Sequence, residues 1–376
     1  MASTYKLLLD GSPADDNFYT KLASLEVEEN ADLPGAIQLE LPVTTDGSGD
    51  LTFVNDATFQ PFANLAVVAT PDGSAAQCIF DGYVLSHKLH LETGVVNAKL
   101  QVWGQDASWL MNLEEKTREW VDVTDADVAS SIFGDYGISP ASDNSTDDSP
   151  SHTEDGHSLM QRGSDIQFLR RLARANGKLC RVACADQPGV RTGFFSRPSL
   201  DGDPVVTLTL NDPTTWNVDK LDFEWDLTGP TSVQARQAVF DSSDEDGVSG
   251  DATSSGLTLL DQRDAATFAS RDRLVMLTTP VDSAGELLMR AQALLTESGW
   301  FVRCEGEADV SRLHAVLRAG DVVQIDGIGS LNSGKYMVWS VRHTIGQDAH
   351  KMKFVLVRNA VGPPPSGGGG LLGALP

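Results

Sequence analysis

The chain carries 53 acidic and 28 basic side chains in 376 residues, for a formal net charge of −25 at pH 7. That balance argues against a nucleic-acid binder, because neutralising phosphates takes clustered Lys and Arg. No stretch approaches the ~20 apolar residues that span a bilayer, and the opening MASTYKLLLDG lacks a basic region followed by a long apolar core. Membrane insertion is therefore not expected, and the chain is expected to be cytoplasmic when it assembles.

A hydrophobic share of 41% in 40.3 kDa suffices for two or three domains with their own cores. The acidic surface suits a salt-adapted host, a channel wall to which anionic cargo does not stick, or a merely soluble protein. Cys78, Cys180, Cys184 and Cys304 form no CxxC pair and read as small buried thiols. Cys180 and Cys184, four apart, fall on one face of a strand and its exit.

Residues 1–106 offer short apolar runs divided by turn signals. Strands are predicted at Lys6–Leu9, Leu22–Glu28, Ala36–Leu41, Leu65–Thr70, Ala76–Leu85 and Val96–Trp103, with Asp46-Gly47, Asp72-Gly73 and Thr93-Gly94 between them. Helical periodicity is absent, which predicts one β-domain, a sandwich or a barrel.

Residues 107–230 form a smaller α/β segment with two helices. Thr124 is placed to cap the first; Val128, Ile132 and Phe133 give its apolar face, and Gly134 can end it. For the second, Ser164 is placed as the cap with Gln167 completing a capping box. Ile166, Leu169, Leu172 and Ala173 make its apolar stripe, Arg170, Arg171 and Arg174 lie opposite, and Gly177 supplies the left-handed stop. The polar stretch between the helices contains His152 and His157; a metal pair is conceivable there, but a loop this rich in Asp and Ser is ordinarily solvated.

Residues 231–361 begin with a strand at Ser232–Phe240, interrupted by an acidic loop at 241–256. The spacing of Asp241, Asp244, Asp246 and Asp251 does not follow an EF-hand register. A helix over Ser283–Ser298 opens with a second capping box, Ser283 with Glu286, and buries Leu287, Ala291, Leu294 and Leu295. Strands follow at Trp300–Gly306, Val322–Ile325, Tyr336–His343 and Lys351–Arg358. Residues 362–376 are a Pro/Gly-rich tail in which Leu371, Leu372 and Leu375 give an apolar end suited to docking on a partner.

Two distant segments share a pattern: Asp81 to Trp103 and Ser333 to Arg358 each read as a long antiparallel hairpin with a Tyr near its start and a His near the end of the first strand. Their likeness predicts that the first and third blocks are copies of one β-barrel.

The run Q-R-G-S-D-I-Q-F-L-R-R-L-A-R-x-N-G, from Gln161 to Gly177, resembles the phage late control gene D family. That family contains baseplate hub proteins of contractile tails and the hub-like part of VgrG-type spikes. Here Gly163-Ser164 stands where the family usually has Glu-Ser. The third block adds the family's closing patterns, L-x-x-G-D-x-V-x-I from Leu317 to Ile325 and S-G-x-Y-x-V-x-x-V-x-H from Ser333 to His343. The resemblance implies a mainly β (α+β) fold: two tube-like β-barrel domains joined by a smaller α/β segment, assembling as a pseudo-sixfold homotrimer. It implies a structural hub that joins a hexameric tail tube protein to a trimeric spike protein and other baseplate components, with no cofactor.

No G-x-S-x-G elbow, P-loop, dinucleotide fingerprint or H-E-x-x-H occurs, so no catalytic residue is assigned and an enzyme is not expected. The alternatives to a hub are a tail-associated polysaccharide hydrolase using a carboxylate pair and a receptor-binding adhesin. Trp216, Trp225 and Trp300 are expected to pack in cores rather than stack on sugars.

Overall fold

The computed structural model describes residues 4–93, 98–146, 150–154, 158–211, 214–237, 248–281, 283–346 and 349–363. The longer strands of the first half are β1 (Thr4–Leu9), β2 (Ser24–Asn30), β3 (Ala36–Pro42), β4 (Asn64–Thr70), β5 (Gln77–His90) and β6 (Lys99–Asp106). Alternation sets their faces: Leu25 and Val27 in β2, Ile37, Leu39 and Leu41 in β3, and Leu100 and Val102 in β6 are all buried in one core. Each such side chain contributes roughly 1.5–3 kcal/mol of burial.

The middle segment holds β7 (Glu115–Trp120), helix Asp125–Asp135, β8 (Leu159–Ser164), helix Asp165–Ala175, β9 (Leu179–Cys184) and β10 (Arg191–Ser196). Its separate core joins Val128, Ile132 and Phe133 of one helix to Ile166, Leu169, Leu172 and Ala173 of the other. Gly177, at φ +67°, ends the second helix as its position predicted. The capping box does not form there. The Ser164 hydroxyl donates instead to Asn112 Oδ1 at 2.7 Å, and Gln167 Nε2 reaches the same oxygen at 3.2 Å. Asn112, 52 residues upstream, outcompetes the local partner for both side chains. The first helix does carry a box, Thr124 with Asp127, and runs through Gly134 to Asp135; Gly137, at φ +65°, takes the left-handed position.

The second half contains β11 (Thr207–Thr209), β12 (Lys220–Trp225), β13 (Ser232–Gln237), β14 (Leu274–Thr278), helix Ala284–Gly299, β15 (Val302–Asp309), β16 (Val322–Asp326), β17 (Gly334–Ile345) and β18 (His350–Arg358). Strands β13 and β14 pair in parallel beneath the helix, burying Val233, Ala235, Leu287, Ala291 and Leu295. Ser283 caps that helix by accepting from the Glu286 N–H, while the Glu286 carboxylate takes Arg290 at 3.0 Å.

The fold is mainly β, as expected, but among the described residues neither half closes into a barrel. One open sheet runs β12-β15-β18-β17-β2-β3-β6-β5-β4-β1, ending on the short strand Ser12–Pro13, with β16 alongside β17 and β11 alongside β16. The physical reason is an edge exchange: the outer edge of β2 is taken by β17 of the other half instead of returning to β1. Strand β12, within the predicted middle block, belongs to this sheet through β15.

The two halves repeat one order. The first runs β2-β3-β6-β5-β4-β1 and the second β12-β15-β18-β17-β16-β11. Each adjacent pair is antiparallel except β16 with β11, which is parallel. The bulges also coincide, between Val84 and Ser86 in β5 and between Val338 and Ser340 in β17.

Candidate assembly interface

The halves meet along β17 and β2. Beyond its bulge β17 swings away from β16 and pairs with β2 in antiparallel register: Ser340 opposite Asn30, Val341 opposite Glu29, Arg342 opposite Glu28, His343 opposite Val27, Thr344 opposite Glu26 and Ile345 opposite Leu25. Val341, His343 and Ile345 are buried with Leu25 and Val27, while Arg342 and Glu28 meet on the open face, Nη2 to Oε2 at 2.6 Å.

Behind this junction, Arg318 Nε lies 2.7 Å from Glu29 Oε1, and the Ala319 N–H donates to Oε2 at 3.2 Å. Arg318 also donates to the Cys184 carbonyl at 3.3 Å, which draws the middle segment onto the same point. A second tie is Asp81 of β5, which accepts Arg191 Nη2 at 2.9 Å and Nε at 3.1 Å. Burial raises the Asp81 pKa, but Arg191, Asn64 and the Gly189 N–H outweigh it and hold the carboxyl below its usual range. On the buried side of β17, His343 Nδ1 and His350 Nε2 are 3.0 Å apart.

Two other strand edges in the sheet, part of β5 and all of β12, are open. In β5 the run Ser86–His90 bonds β6 along one edge, and among the described residues no strand pairs with the other. The outer edge of β12 is likewise unpaired among them. A large apolar side chain is exposed at each, Leu91 just past the end of β5 at 56% and Trp225 at the end of β12 at 58%. Trp216 is exposed too, under the Arg312 guanidinium, so the expectation of core packing fails for Trp216 and Trp225. Edge position explains Trp225, since an edge strand has a neighbour on one side only, while Trp216 lies in the connection between β11 and β12. Trp300 does pack, 6.3 Å from Trp339 at the wall of a cleft of about 260 Å³ lined also by Asp32, Arg174 and Lys178.

The other residues singled out in the sequence serve the frame. His152 Nε2 lies 2.7 Å from the buried Asp125, and His157 lies outside the described residues, as do Asp241, Asp244, Asp246, Leu371, Leu372 and Leu375. Asp251 pairs with Arg236. Among the described residues no group of three or more His, Cys, Asp or Glu side chains is arranged to hold a metal ion. The four cysteines are free thiols; burial pushes Cys180 and Cys304 up to about 12. No described helix is long and apolar enough to cross a membrane. Sequence reasoning missed the paired open edges, whose only local signal is a strand with charge on one face and Leu or Trp on the other.

The fold is that of phage tail proteins. A tail protein from Neisseria meningitidis superposes with TM-score 0.66 at 13% identity, covering 96% of this chain and 97% of that one. A 43 kDa prophage tail protein from Shewanella oneidensis gives 0.64 at 15% identity over 96% and 100%. An E. coli component of the type VI secretion system, itself described as similar to T4 tail proteins, gives 0.54 at 11% identity over 92% and 76%. No curated protein sequence matches the chain. Residues 1–347 match the family described as Alg8 N-terminal domain, and the chain belongs to that family.

Proposed function

We propose that this chain is the structural hub of a contractile phage tail or phage-like injection system, acting without turnover. The observation that carries the proposal is the doubled strand order, in which one chain presents two successive copies of a single sheet unit joined edge to edge. Three chains then offer six quasi-equivalent units to a hexameric tail tube, while true threefold symmetry remains for a trimeric spike. The mechanism is mechanical: the trimer seats the spike, presents a sixfold rim and templates the first tube ring.

Likeness of fold to tail proteins over nearly the whole chain supports this reading. The net charge of −25 suits a conduit wall that does not hold anionic cargo. The tail residues Leu371, Leu372 and Leu375 are the proposed contact with the spike or a neighbouring subunit.

The test is native mass, alone and with the candidate spike. A closed trimer of about 120 kDa, three times 40.3 kDa, is expected. A strict monomer under both conditions, combined with release of sugars from a cell-wall glycan, would replace the hub with a hydrolase.

A further inference from the structure

We propose that Cys78 and Cys184 form a site of reversible oxidation, where the two thiols join as a disulfide that fastens β5 of the first half to β9 of the middle segment. Both are free thiols in the structure, 106 residues apart in sequence.

The fold sets these side chains against each other. The Cys184 thiol donates to the Cys78 carbonyl at 2.6 Å and shares a hydrogen bond with the Cys78 thiol. The Cys78 thiol in turn donates to the Phe80 carbonyl at 3.3 Å. Bond lengths then hold the two α-carbons within roughly 8 Å even if every bond pointed the same way, and a disulfide spans about 4.4–6.8 Å. The other two cysteines lie elsewhere, Cys180 in the core of the middle segment and Cys304 in the main core. Cys184 stands where Arg318 of the second half arrives, Nη2 lying 3.6 Å from its sulfur and 3.3 Å from its carbonyl oxygen. The bond therefore closes at the point where all three parts of the chain converge.

Exposure gives the two sulfurs different roles. Cys78 is fully buried, whereas Cys184 is partly exposed. With a low-molecular-weight disulfide as oxidant, the Cys184 thiolate attacks one reagent sulfur, a mixed disulfide forms and one reagent thiolate leaves. The Cys78 thiolate then attacks Cys184 Sγ, and the second reagent thiolate leaves. Two cysteine thiols are oxidised to one disulfide, one reagent disulfide is reduced to two thiols, and the protons given up by the cysteines pass through water to the leaving groups. The hydrogen bond to Cys78 and burial hold the Cys184 thiol well above its ordinary range, with Arg318 opposing them. Thiolate is thus scarce at neutral pH and closure is slow there. A reducing cytosol keeps the pair open during assembly, and an oxidising medium closes it after release. That timing rests on the chain being part of a released tail particle; the bond itself does not.

The test is the full chain incubated with hydroxyethyl disulfide at about pH 8.5 and mapped by mass spectrometry without reduction. A peptide carrying Cys78 linked to one carrying Cys184 is expected, with two of the four thiols lost. The thermal midpoint should rise on closure and return with dithiothreitol, because the bond restricts the unfolded chain. Cys180→Ala with Cys304→Ala should link equally well. Cys78→Ser should stop at the mixed disulfide on Cys184, while Cys184→Ser should leave the buried Cys78 unmodified. Closure should quicken about tenfold per unit between about pH 7 and 9, following the thiolate. A chain that keeps all four thiols, or that links through Cys180, Cys304 or a second copy, overturns the pairing and leaves the hub standing if native mass still reports a trimer. A monomer that links Cys78 to Cys184 upholds the pair and overturns the hub instead.

Discussion

Arg318 and Glu29 are 289 residues apart in sequence and 2.7 Å apart in space, Nε to Oε1. The same guanidinium holds the Cys184 carbonyl, so both halves and the middle segment converge on one largely buried ion pair. Removing one partner strands a charge that burial keeps from water. Arg318→Ala should cost about 3–5 kcal/mol in urea unfolding, whereas Arg318→Met with Glu29→Leu should cost less than either single change. A loss below about 1 kcal/mol for Arg318→Ala would show that water already reaches the pair.

Asn112 holds the start of helix Asp165–Ala175 through two side chains. Asn112→Ala should destabilise the middle segment by about 1–2 kcal/mol, and Ser164→Ala should add little to it, because both changes remove the same hydrogen bond. Full additivity in the double variant would mean that Ser164 has another partner.

The His343 and His350 pair predicts acid sensitivity. Burial holds His343 well below its ordinary value, reinforced by His350 and Arg318; burial lowers His350 to about 4 despite the opposing Asp309. The unfolded chain takes up these protons near pH 6.5 and the folded chain does not. Stability is thus full above pH 6.5 and falls as pH drops from there to about 4, by up to about 1.4 kcal/mol per unit for each ring. Urea midpoints followed across that range should fall less steeply for His350→Gln than for the wild type; identical slopes would remove the pair as the cause.

Gly306 faces the Phe354 ring, where a Cβ would stand 2.3 Å from Cε2 and 2.9 Å from Leu221 Cδ2. Gly306→Ala should cost about 1–3 kcal/mol through overpacking, with Phe354→Leu recovering part of it. Thermal unfolding of the two variants against the wild type checks this, and a neutral Gly306→Ala would mean that the ring has room to turn.

What the sequence made legible was local. The Ile166, Leu169, Leu172 and Ala173 stripe, the Gly177 stop and the alternation along β2 and β3 each depend on residues within a turn or two of one another. What escaped was decided at a distance. Ser164 and Gln167 have the local form of a capping box, yet Asn112 takes both. A strand's pattern states which face is buried but not which edge is occupied, and the two barrels implied by the duplicated hairpins and the family resemblance are instead two halves joined into one sheet by β17 and β2. The candidate interface was invisible for the same reason, since Leu91 and Trp225 look like core residues until the strand segments beside them are found with one edge open.

The coincident bulges let one long strand serve two neighbours, its first part within its own half and its last part across the junction. Such a junction is written mainly in amides and carbonyls, which every residue but proline supplies alike. Tail proteins only 13% and 15% identical to this chain share its fold over 96% of its length, as expected of a frame held mainly by backbone pairing.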